Sequence, residues 1–336
     1  MDTKHLLGSH RGRERNCSVA RTLEILSSAW TFLVIREAFF GIRRFLDFQT
    51  ELNISRGVLA DRLEWLTSHS IFARTEYQAS PKRFEYRLTQ KGFDLYPSFI
   101  ALMKWGDRWL WRGKPPPLAL HHKECRRWID PLTVCSHCGE IIVPEAVTYH
   151  DGPGAGTTPI WDRPRVRRVS DPETFLRGRR CSVARTLKII GDRWSFLVLR
   201  EAFFGVRRYD DFCRNLGIST NILADRLQWM VAEGIFFRSP YQSHREQLEY
   251  RLTEKGKQLY ASMIAMMRWG DKWLSQAGPP LLLHHNSCGH NFHAAVVCDC
   301  CGKELKAKEM AYRSRDERVT TPLEAPTPAQ EESAAK

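Results

Sequence analysis

Two short segments of the chain carry metal-ligand chemistry. His121-His122-x-x-Cys125 is followed, after nine residues, by Cys135-x-x-Cys138-Gly139. His284-His285-x-x-Cys288 is followed, again after nine residues, by Cys298-x-x-Cys301-Gly302. Two ligand pairs at two-residue gaps, the second ending in glycine, suit a tetrahedral Cys₃His zinc site. Soft thiolates favour zinc over hard cations. The spacing predicts one site per segment: His122, Cys125, Cys135 and Cys138 in the first, and His285, Cys288, Cys298 and Cys301 in the second. His122 and His285 are preferred because they reproduce the two-residue gap; His121 and His284 are the second choice. Four protein ligands leave no open position, so up to two ions would be structural. The alternative is a metal-free hairpin. Cys17 and Cys181 open predicted helices, where a helix N-terminus can activate a thiol. They are redox candidates, against the plainer role of small packed residues. Cys213 and Cys300 have no counterpart in the first copy, where Gln49 and His137 stand. Cys300 either competes for metal or is incidental.

These segments belong to a larger repeat. CSVARTL at Cys17–Leu23 recurs at Cys181–Leu187, an offset of 164, and 54 of the 94 positions from Cys17 to Leu110 are identical in the second copy. So long a period marks a duplicated domain. The expected division is a large domain over 12–113, a cysteine module over 118–146, and a Gly/Pro-rich, basic linker over 147–173. The second large domain follows over 176–277 and the second module over 281–312. A Pro/Ala/Glu-rich tail, 313–336, is expected to be disordered.

The elements that must position these residues follow from local signals. Val19, Leu23 and Leu26 share one helical face, and a second helix over Trp30 to Phe40 stops at Gly41. A short helix from Phe45 to Leu52 ends at Asn53, with Gly217 at the same place in the second copy. Both residues enter left-handed geometry cheaply. Ser55 and Ser219 stand where a cap is needed for the next helix, which turns Leu59, Leu63 and Leu66 inward. Two strands, Ile71 to Tyr77 and Phe84 to Leu88, flank a polar turn, and Thr89 and Thr253 cap a long last helix. Helix, tight turn, helix and hairpin make a winged helix. The fold class is α+β, mainly α: two winged helix-turn-helix domains, each followed by a small zinc-ribbon-like module.

These residues resemble the HxlR-type winged-helix transcriptional regulators. The resemblance rests on Cys-x-Val-x-x-Thr-Leu, the LVIRE and LVLRE segments, FFGIRRF and FFGVRRY, LADRL, EYRLT and the following Lys-Gly, all in order and twice over. It implies DNA binding and transcriptional control, usually repression, by homodimers packed through terminal helices. It also implies that a cysteine near Cys17 and Cys181 can sense oxidants. The fusion of two copies suggests an intramolecular pseudo-dimer, with a homodimer of chains as the alternative.

A recognition helix presents its outward N-terminal residues to base edges. Here these are Ser55, Arg56, Gly57 and Arg62, and in the second copy Ser219, Thr220, Asn221 and Arg226. Arg56-Gly57 has become Thr220-Asn221, so the two copies should read different half-sites of an imperfect palindrome. Lys82 and Arg83 at one wing tip, His244 and Arg245 at the other, and Arg43, Arg44, Arg207 and Arg208 before the short helices are candidate phosphate contacts. The plainer alternative is that the serines only cap and that the arginines form helix ion pairs.

The formal charge of +13 fits an anionic partner, double-stranded DNA, although a solvated basic surface would give the same figure. No apolar run approaches the ~18 residues of a membrane helix, and the opening residues lack the pattern of a signal peptide. The expectation is a cytoplasmic protein without a membrane partner. No zinc-hydrolase or deaminase motif and no phosphate-binding glycine loop occurs, so the chain is not expected to be an enzyme. Two alternatives stay open: a redox- or ligand-responsive regulator with an effector and Cys17 and Cys181 as sensors, and a zinc-containing protein-interaction adaptor.

Overall fold

A computed structural model describes residues 13–26, 28–111, 113–159, 181–240 and 248–315. The first large domain opens with α1 (Ser18–Ile25) and α2 (Ala29–Phe39), capped by Cys17 and Ser28. Then come α3 (Phe45–Leu52) and α4 (Arg56–Ser68), separated by Asn53 in left-handed geometry at φ 49°. The wing is an antiparallel pair, Phe72–Ala79 with Lys82–Leu88, longer at the tip than the alternation alone suggests. Thr89 does cap a helix, accepting from the Gly92 amide at 3.1 Å, but that helix is one turn, α4's successor α5 (Gln90–Phe93). The chain then restarts as α6 (Tyr96–Leu110).

The second large domain repeats this order. It has α7 (Ser182–Ile190), α8 (Arg193–Phe203), α9 (Tyr209–Leu216) and α10 (Thr220–Ala232), with Gly217 in left-handed geometry at φ 59°. Its wing strands are Phe236–Pro240 and Leu248–Leu252, and α11 (Glu254–Lys257) leads into α12 (Tyr260–Leu274).

The two domains share one apolar core, because each repeat's first helix packs on the other repeat's last. The buried Thr22 hydroxyl donates to the Met266 carbonyl at 3.2 Å, and Thr186 donates to the Leu102 carbonyl at 3.0 Å. Gly106 and Gly270 permit the approach: a Cβ on either would stand 2.6 or 2.5 Å from the carbonyl of Ser182 or Ser18. Indole donors close the seam, Trp105 to the Lys255 carbonyl at 2.8 Å and Trp269 to the Lys91 carbonyl at 2.9 Å.

The modules are exchanged as well. In the first, Leu118–His122 pairs with Arg127–Ile129 and with Met310–Ser314 of the second. In the second, Leu281–His285 pairs with His290–Phe292 and with Val147–Asp151 of the first. Leu132–Cys135 pairs with Ala294–Val297. Residues 147–151, read from sequence as the start of a linker, are thus a strand. A second strand, Thr157–Pro159, lies in the same stretch and pairs with Arg13–Arg15. The reason is reach: each module's central strand has an open edge, and the following segment of the other repeat fills it. The last strand also runs two residues into the expected tail; residues 316–336 and 160–180 lie outside the described residues.

Candidate nucleic-acid interface and cysteine–histidine tetrads

Helix α4 buries Leu59, Leu63 and Leu66, and α10 buries Leu223, Leu227 and Met230. That orientation leaves Ser55, Arg56 and Gly57, and likewise Ser219, Thr220 and Asn221, exposed at the helix starts. Ser55 does cap, accepting from the Val58 amide at 3.4 Å, whereas Ser219 makes no side-chain cap bond.

The exposed Arg43, Arg44, Arg207 and Arg208 sit between helix and wing. The Tyr86 amide donates to the Arg43 carbonyl at 2.7 Å and the Tyr250 amide to the Arg207 carbonyl at 2.8 Å, tying wing to turn. The Arg44 guanidinium lies over the Tyr77 ring, 4.8 Å from its centroid. Lys82 and Arg83 are exposed at the wing tip, while His244 and Arg245 fall outside the described residues.

Arg226 departs from its expected outward position. It is buried, and its Nε donates to Asp192 Oδ1 at 3.0 Å. Asp192 also caps α8 through the Trp194 and Ser195 amides. Arg226 therefore braces α10 against α8. The matching Arg62 is half-buried, and Ser28 stands where Asp192 does.

The eight metal-ligand candidates do come together in two tetrads, but the grouping differs from the one expected from spacing. His122 and Cys125 meet Cys298 and Cys301; Cys135 and Cys138 meet His285 and Cys288. Each tetrad takes two ligands from each repeat, because strand exchange sets each His-x-x-Cys turn beside the other repeat's Cys-x-x-Cys knuckle. In the first, His122 Nδ1 is 3.3 Å from Cys125 Sγ and 3.5 Å from Cys301 Sγ, and Cys125 and Cys298 are 3.7 Å apart. In the second, Cys138 is 3.4 Å from His285 Nδ1 and Cys135 is 4.0 Å from Cys288. Tetrahedral zinc at ordinary bond lengths sets sulfurs about 3.8 Å apart and nitrogen about 3.6 Å from sulfur. All these cysteines are free thiols, and the tetrads could hold a metal ion.

Local geometry supports the knuckles. Gly139 and Gly302 take φ of 78° and 71°, and their amides close back on the Cys135 and Cys298 carbonyls at 2.9 Å. Burial opposes ionisation of Cys135, but amide hydrogen bonds from Cys138 and His137 outweigh it and hold this thiol below its usual value. Cys138 shifts up: the Glu140 amide favours its ionisation, and burial with the neighbouring Cys135 and Cys288 thiols outweighs that. His285 Nε2 lies 3.9 Å from Glu140 Oε2, the side on which a metal-bound imidazole is commonly held by a carboxylate. The second-choice histidines point elsewhere: His121 packs edge-on against Trp128, and His284 Nδ1 meets Asn291 Oδ1 at 3.1 Å.

Two buried serine–aspartate pairs at the seam are not among the residues expected from the sequence. Ser18 donates to Asp271 at 2.5 Å, and Ser182 donates to Asp107 while accepting from the Trp111 indole at 2.8 Å. Burial pushes Asp107 up to about 7 against the Ser182 hydrogen bond, and Asp271 up to about 6 against that of Ser18. The signal was present in the recurring Trp-Gly-Asp of both last helices. Cys17 and Cys181 are half-buried at the same seam. Arg36 donates to Cys181 Sγ at 2.8 Å, and Arg200 bonds to Cys17. Burial works against the charge on both guanidiniums, and the facing sulfur and adjacent glutamate more than offset it.

The geometry defines a class first: a tandem winged helix-turn-helix protein with two outward recognition helices. The HxlR-like helix-turn-helix family matches residues 25–114 and 189–278, more than half of the chain. The chain belongs to that family, in tandem duplicate; it is a family of transcriptional regulators, not of enzymes. An uncharacterized HTH-type transcriptional regulator of Mycobacterium tuberculosis is 46% identical over 143 residues, spanning 42% of this chain and 89% of its own. Another, from Synechocystis, is 36% identical over 108 residues, 32% of this chain and 79% of its own. The solved structure of "Redoxregulator HypR in its reduced form" is 31% identical, covers 27% of this chain and 90% of its own, and has a TM-score of 0.25. Among the described residues, no single helix is long and apolar enough to cross a membrane.

Proposed function

We propose that the chain is a sequence-specific, cytoplasmic DNA-binding regulator, a repressor, that acts as an intramolecular pseudo-dimer on an imperfect palindrome. The observation that carries this is the pair of exposed but unlike helix starts, Ser55-Arg56-Gly57 and Ser219-Thr220-Asn221, on repeats joined through exchanged helices. Arginine pairs with guanine edges and asparagine with adenine edges, so the half-sites differ. Their centres lie about one helical turn (≈ 34–36 Å) apart, with wing arginines on the flanking phosphates. Each tetrad takes one structural zinc ion, two per chain. The test is selection of bound fragments from the source genome, with the solution mass of the particle. The expected result is one chain per site on two unlike half-sites. Failure to enrich any sequence, with binding insensitive to salt, would favour a protein-docking adaptor.

A second reading, control by oxidation or by an electrophilic effector, is favoured by one contact. Any group added to the Cys17 or Cys181 sulfur would displace the guanidinium of the opposite repeat from the seam. Thiol labelling that abolishes DNA binding in the native chain, and spares a Cys17→Ser, Cys181→Ser variant, would support it.

A further inference from the structure

We infer that the two metal ions are staples between the repeats: each is held half by one repeat and half by the other, so neither repeat can load a site alone. This rests on the zinc reading given above and adds which ligands share an ion. The crossing is built in by the strands. Leu118–His122 ends at His122 and pairs with Met310–Ser314, the segment that follows the Cys298-x-x-Cys301 knuckle. Leu281–His285 ends at His285 and pairs with Val147–Asp151, the segment that follows the Cys135-x-x-Cys138 knuckle. Each His-x-x-Cys turn therefore meets the knuckle whose own continuation lies beside it.

Cross-contacts repeat the pattern outside the tetrads. Lys303 pairs with Glu124, the His293 amide donates to Ser136 at 3.1 Å, and the His137 and His290 rings stack 3.6 Å apart. The exchanged strands also return to the opposite winged helix. Tyr149 packs edge-on against Phe204 and donates to the Tyr260 hydroxyl at 3.0 Å, and Tyr312 lies against Phe40. A soft divalent ion in each tetrad thus fixes the modules to each other, and through the two tyrosines fixes each repeat's module on its neighbour's DNA-binding domain. Metal loading then reports that the two repeats are correctly paired.

Two double substitutions in the full chain separate the crossed arrangement from one ion per copy. Cys125→Ser with Cys301→Ser strikes a single crossed tetrad, so one zinc per chain should remain of the wild type's two. Cys125→Ser with Cys135→Ser strikes both crossed tetrads, so none should remain. The opposite pattern, none for the first pair and one for the second, would overturn the crossing while leaving zinc in place. A wild-type chain that purifies and titrates without zinc would overturn the zinc reading and the staples with it. A measurement on unsubstituted protein guards against variants that fail to fold. After chelation, mild diamide oxidation and peptide mapping should find Cys125–Cys298 or Cys135–Cys288 disulfides. Disulfides joining Cys125 to Cys135 or Cys138, or Cys288 to Cys298 or Cys301, would overturn the proposal.

Discussion

Gly106 lies so close to Ser182 across the two repeats that a Cβ added to it would stand 2.6 Å from the Ser182 carbonyl oxygen and equally near the Thr186 hydroxyl. Gly270 stands in the same relation to Ser18 and Thr22. Backbone meets backbone at this seam, and neither side can yield by turning a side chain. The close approach of the two repeats at this seam requires these two glycines.

Gly106→Ala should therefore destabilise the whole chain, by about 1–3 kcal/mol, the ordinary cost of overpacking a close-packed contact. Gly57, on the exposed start of α4, has nothing within 4 Å of an added Cβ. Gly57→Ala should instead be neutral or stabilise by about 0.4–1 kcal/mol through the unfolded chain. Chemical denaturation of both variants checks the contrast. Equal effects would show that the seam is not the tight contact described.

The seam also carries a pH dependence. The folded Asp107 binds its proton up to about pH 7 and Asp271 up to about pH 6, against an ordinary carboxyl value of 3.8. Between those limits the folded state holds more protons than the unfolded one, so stability falls as pH rises. Their contribution is complete below about 3.8 and lost above the folded values. Asp107→Asn keeps an acceptor for Ser182 and removes the titration. From pH 5 to pH 8 the variant should gain on the wild type by about 2 kcal/mol, after allowance for residual screening. A pH-independent difference would refute the assignment.

Arg226 and Arg56 lie on equivalent helices but should fail in different ways. Arg226→Ala removes the brace to Asp192, and loss of a largely buried ion pair of this kind costs about 1–3 kcal/mol of stability when its ends keep some solvent. Arg56→Ala removes an exposed side chain, so stability should hold. Affinity for a selected genomic fragment should drop by about 1–3 kcal/mol, mainly at one half-site. Thermal unfolding and binding titrations on each variant separate the two. If Arg56→Ala changed only the melting temperature, its place in the interface would be wrong.

That contrast shows where the sequence is legible. Phe45–Leu52 is read correctly because Asn53 and Gly217 announce a left-handed stop, and α4 because Ser55 and the leucine spacing announce its start and buried face. The preference for His122 over His121 rests on the two-residue gap to Cys125; His122 Nδ1 lies 3.3 Å from Cys125 Sγ, while His121 packs against Trp128. The role of Arg226 is not readable from LADRL, which is identical in both copies. What differs is a distant position: Asp192, which meets Arg226, is replaced at the equivalent place in the first repeat by Ser28. The grouping of the tetrads is hidden for a similar reason. Two ligand sets of identical spacing satisfy tetrahedral geometry equally well within a copy or across copies, and only strand exchange decides. Local periodicity reports which face is buried, not which copy buries it.

Arg83 gives the cleanest electrostatic test. It is exposed at the end of a two-stranded wing whose base is bridged to the turn before α3 through Arg44 and Glu85. A side chain so placed can meet phosphate. Each phosphate it neutralises releases condensed counterions, so affinity depends on salt with a slope of about −0.9 per contact. Arg83→Ala should therefore weaken binding to all fragments alike and make the plot of log affinity against log salt shallower by about one unit. Replacing it with lysine, which keeps the charge, should restore most of the slope. Titrations of the wild type and both variants across 50–200 mM salt, the order of range over which such slopes are resolved, give the answer. An unchanged slope in Arg83→Ala would place the arginine in solvent, outside the interface.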